Sequence, residues 1–218
     1  MNTSKLRVYI TVSADGYVAG PNQSEEHPLG EGGGRLHDWA FALRIFQELH
    51  GRGGGVENES TPVVEEALAN VGAQIMGRGM FGGGPGPWGE DPWPGWWGED
   101  PPFHMPVFVL THHERDPLTL SDTTFTFVTD GIEAALEQAR AAAAGKDVTI
   151  GGGADVINQY LAAGLVDELD LNVVPLVLSG GARLFEGVGP ELSLEQVRAV
   201  EAPGVVHLKY RVGSQRGR

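Results

Sequence analysis

The chain contains no cysteine. Disulfides, thiolate-ligated zinc and thiol nucleophiles are therefore excluded. Basic residues are scarce: 15 Lys and Arg against 29 Asp and Glu leave a formal net charge of −14. That balance argues against a general nucleic-acid surface or an anionic membrane as partner, since both need a basic face. It leaves room for a phosphate ligand, which needs only a few well-placed donors. A long apolar run and a basic-then-apolar leader are both missing, so the expectation is a cytoplasmic protein with no membrane partner. The histidines show no His-Glu-x-x-His spacing, and no metal is assigned. What is plentiful is glycine, with 33 residues, in a chain that is 41% hydrophobic and 20% charged. At 218 residues this suits one large domain, taken as 1–212 with a frayed tail over 213–218.

Periodicity gives the order of elements. Leu6, Val8, Ile10 and Val12 alternate as on one strand face, and Asp15-Gly16 and Gly20-Pro21 mark turns after it. Asp15 reads first as a turn residue whose carboxylate bonds nearby N–H groups. Leu36, Trp39, Leu43 and Phe46 fall three or four apart, predicting one helix over 36–49 with Asp38 in its first turn. There Asp38 favours the positive end of the helix dipole, or else forms the carboxylate rim of a pocket below the first strand. A helix from Thr61-Pro62, a buried strand over 73–77, a near-continuous apolar strand from Pro106, and a strand over 125–128 follow. Thr129-Asp130 then cap a helix to Ala144. After a strand at 148–150 and its helix, strands over 167–178, 192–200 and 205–212 complete the chain, the last two joined at Ala202-Pro203-Gly204. Strand–helix alternation ending in a hairpin implies an α/β fold on a mixed, mainly parallel sheet with antiparallel strands at one end. Residues 82–103 resist any regular element, yet hold Trp88, Trp93, Trp96 and Trp97. So aromatic a segment is an ordered loop, serving as lid, core packing or dimer contact.

Three turns sit at the carboxyl ends of parallel strands, where open α/β sheets bind ligands. Gly77-Arg78 offers a guanidinium that can grip a phosphate with two parallel bonds, or can simply pair with a surface carboxylate. Thr111-His112 follows the apolar strand. Gly151-Gly152-Gly153-Ala154 joins a strand to a helix start, where the backbone lies open and the first N–H groups lack partners. It is either a phosphate cradle or a plain tight turn. A Rossmann fingerprint fails here, because Val156 stands where the third glycine of Gly-x-Gly-x-x-Gly belongs.

On these residues the chain resembles the dihydrofolate reductase superfamily, most closely the reductase domain of bacterial riboflavin biosynthesis. The resemblance rests on Ser13-Ala14-Asp15-Gly16, Ile75-Met76-Gly77-Arg78, Val107 to Thr111, Ile150 to Gly153 and Gly164 to Leu169, and runs from Val8 to Tyr210. It implies a three-layer dihydrofolate-reductase-like fold, a homodimer, and an NADPH site. In that site Gly77, Arg78, Thr111 and His112 flank the adenosine phosphates, while Gly151, Gly152, Gly153 and Ala154 cradle the pyrophosphate. The implied activity is hydride transfer to a small pterin-like or ribosylaminopyrimidine-like substrate. Asp38 is the candidate proton donor, and Asp15, Trp39 and Arg183 are the candidate substrate contacts. The alternative is a non-catalytic NADP(H)- or flavin-binding protein. The tryptophan-rich segment departs from the family pattern, as do the loops around Asp38.

Overall fold

The computed structural model describes residues 4–24 and 26–214. Its first elements are β1 (Leu6–Ser13), β2 (Tyr17–Ala19), α1 (Asp38–Phe41), α2 (Arg44–Leu49) and α3 (Thr61–Leu68). The middle of the chain forms β3 (Val71–Gly77), α4 (Arg78–Phe81), β4 (Pro106–Leu110), β5 (Leu118–Leu120) and β6 (Thr123–Val128). Then come α5 (Ile132–Ala142), β7 (Asp147–Gly152), α6 (Ala154–Ala162), β8 (Glu168–Val174), β9 (Ala182–Arg183), β10 (Leu192–Ala202) and β11 (Val205–Ser214). The expected tail at 213–218 is strand at Gly213 and Ser214, and 215–218 lie outside the described residues.

Nine strands form one sheet in the order β10-β11-β8-β1-β7-β3-β4-β6-β5. From β8 to β6 all neighbours run parallel. The expected hairpin is present as β10 and β11, and β11 runs antiparallel to β8. The other edge is antiparallel too, because β5 turns back onto β6. Leu118-Thr119-Leu120 is too short a run for periodicity to announce it. A two-stranded sheet of β2 and β9 lies apart. Its closeness explains Gly181, where φ is +112° and a Cβ would stand 2.2 Å from the Ala19 carbonyl oxygen.

Each face of the sheet is covered. On one face Leu6, Val8, Val12, Ile75, Val148 and Ile150 pack against α5 and α6, which contribute Ala135, Leu136, Ala139, Ile157, Tyr160 and Leu161. On the other face two smaller cores sit side by side. One gathers Leu36, Trp39, Leu43 and Val64 against Val174 and Val205. The second holds Met76, Phe81, Val107, Val109 and Phe125, with Trp88, Trp93 and Trp97 packed on it. Three of the four tryptophans in that loop are therefore core packing. Its indole N–H groups are satisfied where they enter: Trp88 donates to the His113 carbonyl at 3.1 Å and Trp93 to that of Phe81 at 3.1 Å.

Two local expectations are corrected. The predicted helix over 36–49 is broken into a 3-10 turn (Gly33–His37), α1 and α2. Leu43 between them is extended and fully buried, and Val56 exchanges backbone hydrogen bonds with Ala42 and Arg44 there. Burying Leu43 and bridging it to the passing Val56 segment outweigh helix continuity, a contact invisible to local periodicity. At α5 the N-cap is Gly131, with φ of 91° and no side-chain cap bond, in place of Thr129-Asp130.

Candidate functional site

The carboxyl ends of β1, β7, β3, β4 and β6 open into one cavity of about 690 Å³. That is the size and the position at which α/β sheets take small ligands. Gly77, Arg78, Thr111, His112, Gly151, Gly152, Gly153 and Ala154 all line it. Residues 77 to 154 are brought together by the sheet, since β3 pairs with both β4 and β7.

Arg78 is half-buried at the start of α4. Its Nε donates to the Gly82 carbonyl at 3.1 Å and its Nη2 to that of Gly83 at 3.0 Å. Nη1 reaches Thr111 Oγ1 only at 3.4 Å. The guanidinium stacks 3.1 Å above the centre of the Trp88 ring, and Arg115 approaches the same ring at 4.6 Å. Neither arginine has a carboxylate partner among the described residues. Burial, and then the Arg115 charge, lower the Arg78 pKa. Two cations thus share an aromatic support with no carboxylate paired to either, and of the two Arg78 lines the cavity.

The glycine turn has complementary chemistry. Gly152 and Gly153 are joined by a cis peptide bond. Gly153 is the N-cap of α6 and offers no side-chain cap, so no capping side chain takes up the first N–H groups of that helix. A Cβ built on Gly153 or Gly79 meets nothing within 4 Å, so both leave open space above the backbone. Gly77 has a different reason to be glycine: a Cβ there would stand 2.8 Å from Val156 Cγ2. Asp155, exposed in the first turn of α6, is the one carboxylate lining the cavity among the described residues.

The substrate-side candidates fall elsewhere. Asp38 is exposed at the start of α1 and does not line the cavity. Trp39 is buried in the core with Leu36, Leu43 and Val64, edge-on to His207 with ring centres 5.0 Å apart. Asp15 Oδ1 accepts from the Ser13 hydroxyl at 2.6 Å and the Leu178 N–H at 3.1 Å, and Oδ2 accepts from the Ser179 N–H at 2.7 Å. Those bonds, the Ser13 hydroxyl foremost, lower its pKa and tie the first turn to the loop before β9. Arg183 follows Ala182 along β9, and Ala182 lines the cavity. Strand alternation sends Arg183 the other way, where its guanidinium lies 5.9 Å from the Tyr17 ring centre.

Residues that the sequence did not single out also line the cavity, notably His37, Gln23 and Met80, and Trp96 and Trp97 of the tryptophan loop join them. His37 ends the 3-10 turn Gly33–His37, whose side chains are rotated differently from those of an α-helix, and it lines the cavity where its neighbour Asp38 does not. Away from the cavity, Asp100, His104 and Asp122 each bring one ligand atom to within 4.8 Å of the others, all exposed.

With this geometry in hand, known proteins supply the family. The model of the RibD C-terminal domain family matches residues 4–208. The chain belongs to that family. Among curated proteins, YyaP of Bacillus subtilis (strain 168), itself uncharacterized, is 39% identical over 67 residues, which is 30% of this chain and 36% of that protein. The chain therefore aligns with about a third of that relative's length. Among solved structures, a Shewanella sp. PV-4 protein assigned to riboflavin biosynthesis superposes with a TM-score of 0.63 at 19% identity, covering 96% of this chain and 99% of that one. The Thermotoga maritima diaminohydroxyphosphoribosylaminopyrimidine deaminase/5-amino-6-(5-phosphoribosylamino)uracil reductase gives 0.57 at 13%, covering 95% and 56%. Dihydrofolate reductase from Enterococcus faecalis, complexed with NADP(H) and RAB-propyl, gives 0.50 at 15%, covering 96% and 97%. At such identities the likeness carries the fold, which is dihydrofolate-reductase-like as the sequence implied. Among the described residues, no helix is long and apolar enough to cross a membrane.

Proposed function

We propose that the chain is an NADPH-dependent reductase that transfers a hydride to a small heterocyclic or carbonyl substrate. The observation that carries this reading is the convergence, in one cavity, of an Arg78 guanidinium without a carboxylate partner and an uncapped α6 start behind open glycines. Membership of the RibD C-terminal domain family supports it, as does the NADP(H) in a fold relative.

When bound, NADPH supplies the hydride. The amides at the start of α6 and the bare backbone at Gly153 receive the pyrophosphate. Arg78, with Thr111 and His112 beside it, takes the 2′-phosphate, so NADPH is preferred to NADH. Both contacts orient the reactive ring, and the Trp96 and Trp97 side chains wall the cavity against water. The homodimer belongs to this proposal. β10 is an edge strand, and Leu194, Val197 and Val206 are exposed on its hairpin.

A second reading, an NADP(H)- or flavin-binding protein without turnover, draws on one observation: Asp38, the expected proton donor, does not reach the cavity. Stopped-flow mixing of the protein with NADPH, then with pterin, pyrimidine and carbonyl acceptors, separates the two. Tight NADPH binding with turnover on one acceptor class is the expected result. Binding without turnover on any would leave the second reading in front, and absence of binding would remove both.

A further inference from the structure

The two ends of the cavity differ in chemistry. The end over β3, β4 and β6 carries Arg78, Thr111 and His112. Beyond β7, at the β1 end, the walls are Ile10, Val18, Ala19, Leu29 and Ala182. Gln23 and His37 bring polar side chains there, and among the described residues Arg78 is the one Lys or Arg lining the cavity and Asp155, at the start of α6, the one Asp or Glu. A phosphorylated substrate needs cationic or multiple N–H donors for its dianion. A pterin ring, whose amidine-like edge offers paired donors, calls for a carboxylate. No cation serves the β1 end, because the cavity's one arginine is Arg78 and Arg183 turns to the far face of β9. Asp38, exposed on α1, does not line the cavity, and the cavity's one carboxylate, Asp155, stands in the first turn of α6 beside the amides read above as the pyrophosphate site.

His37 supplies the remaining polarity. Its Nδ1 is sealed from solvent and has no hydrogen-bond partner. Among the described residues its Nε2 has no hydrogen-bond partner and is not closed off in the same way. With the proton on Nε2, a lone pair alone is stranded at Nδ1 and a donor is left at the accessible nitrogen. Burial keeps the ring neutral, outweighing the opposing pull of Asp38.

Resting on the NADPH reading above, we propose that the β1 end of the cavity takes an uncharged, unphosphorylated carbonyl compound, whose oxygen accepts a hydrogen bond from His37. The carbonyl carbon of that acceptor gains a hydride, with its electron pair, from C4 of the reduced nicotinamide. The C=O π pair moves to oxygen, which takes a proton from water while held by His37. The acceptor leaves as an alcohol and the nicotinamide is left oxidised, so one hydride and one proton are accounted for.

The test uses the full chain with NADPH and three probes: 4-nitrobenzaldehyde, menadione and 5-amino-6-(5-phosphoribosylamino)uracil. NADPH consumption is followed with background rates subtracted, and probe binding to the NADP⁺-loaded protein is read from tryptophan quenching. The expected result is a kcat/KM on at least one uncharged carbonyl probe about tenfold or more above that on the phosphorylated probe. His37→Phe, which keeps a ring but deletes the donor, lowers that value and the probe affinity by about tenfold or more, with NADPH affinity within about two-fold. His37→Asn, which retains a donor, restores part of the loss, and a misfolded variant is recognised by its lost NADPH binding. Preference for the phosphorylated probe, or a His37→Phe variant that binds and reduces the carbonyl probe like wild type, overturns the proposal while leaving the cofactor reading intact. Failure of the wild type to bind NADPH removes the cofactor reading, and this proposal with it.

Discussion

Replacing Arg78 by alanine is the sharpest test of the cofactor assignment, because the structure states what its guanidinium has already committed. A guanidinium carries five N–H donors. Here one serves the Gly82 carbonyl at 3.1 Å and one that of Gly83 at 3.0 Å, while the contact to Thr111 at 3.4 Å is long. About half the donors, and the whole positive charge, are left for a ligand. A charge-assisted bond contributes about 1.5–3 kcal/mol net. Two of them to a phosphate on a half-buried cation, discounted for screening, amount to about 2–3 kcal/mol. That corresponds to about a 30–150-fold rise in the Kd for NADPH. NADH has no 2′-phosphate, so its Kd moves by less than about three-fold. Fluorescence titration of both nucleotides at one fixed ionic strength reads the difference. Arg78→Lys, which keeps the charge but cannot reproduce the fork, falls between wild type and alanine. Equal losses for NADPH and NADH would refute the reasoning: Arg78 would then be holding Gly82 and Gly83 in place and nothing more.

Three other outcomes are expected. Gly153→Ala adds a methyl to open space, so the melting temperature stays within about 2 °C, yet NADPH binding weakens by about tenfold or more as the methyl fills the approach to the α6 amides. Unchanged nucleotide binding in calorimetric titration would remove the cradle. His207 is held neutral by burial, its pKa pushed down from 6.5 to about 4, with Arg198 adding to the shift. Between those values the unfolded chain binds the extra proton, so stability is full above about pH 6.5 and falls as pH drops toward 4. At pH 5 the loss is about 2 kcal/mol before screening and about 1–2 after it. Urea titrations of wild type and His207→Gln across pH 5–8 should show a flatter profile in the variant, and parallel profiles would contradict it. Val197→Asp puts a charge on the exposed face of β10 and is expected to shift the dimer to monomer in light scattering; a wild type that is monomeric throughout counts against the homodimer.

What the sequence disclosed and what it hid divide along physical lines. Gly77-Arg78, Thr111-His112 and the Gly151–Gly153 turn could be read out because a parallel sheet collects strand ends, and short-range patterns mark strand ends well. Burial on both faces announced β4 through its unbroken Val107-Phe108-Val109 run. The β1 end of the cavity stayed hidden, since it is built by non-local packing. Leu43 interrupts a plausible helix to meet Val56, and His37 sits in a 3-10 turn beside the better-looking Asp38. Tryptophans in a Gly/Pro-rich loop were legible as ordered. Their destination, the core formed by Phe81 and Phe125, required knowing which strands lie beneath.

The position of β1 has a consequence for how the chain comes into being. It is synthesised before its hydrogen-bonding partners on both edges, β7 and β8, whose residues begin at 147 and 168. Until those residues have left the ribosome, the Leu6–Ser13 strand has two unpaired edges and an apolar surface with nothing to cover it. Folding of the sheet centre is therefore a late, long-loop-closing event, slow by virtue of its contact order. During that interval the nascent chain is most exposed to aggregation and to chaperones.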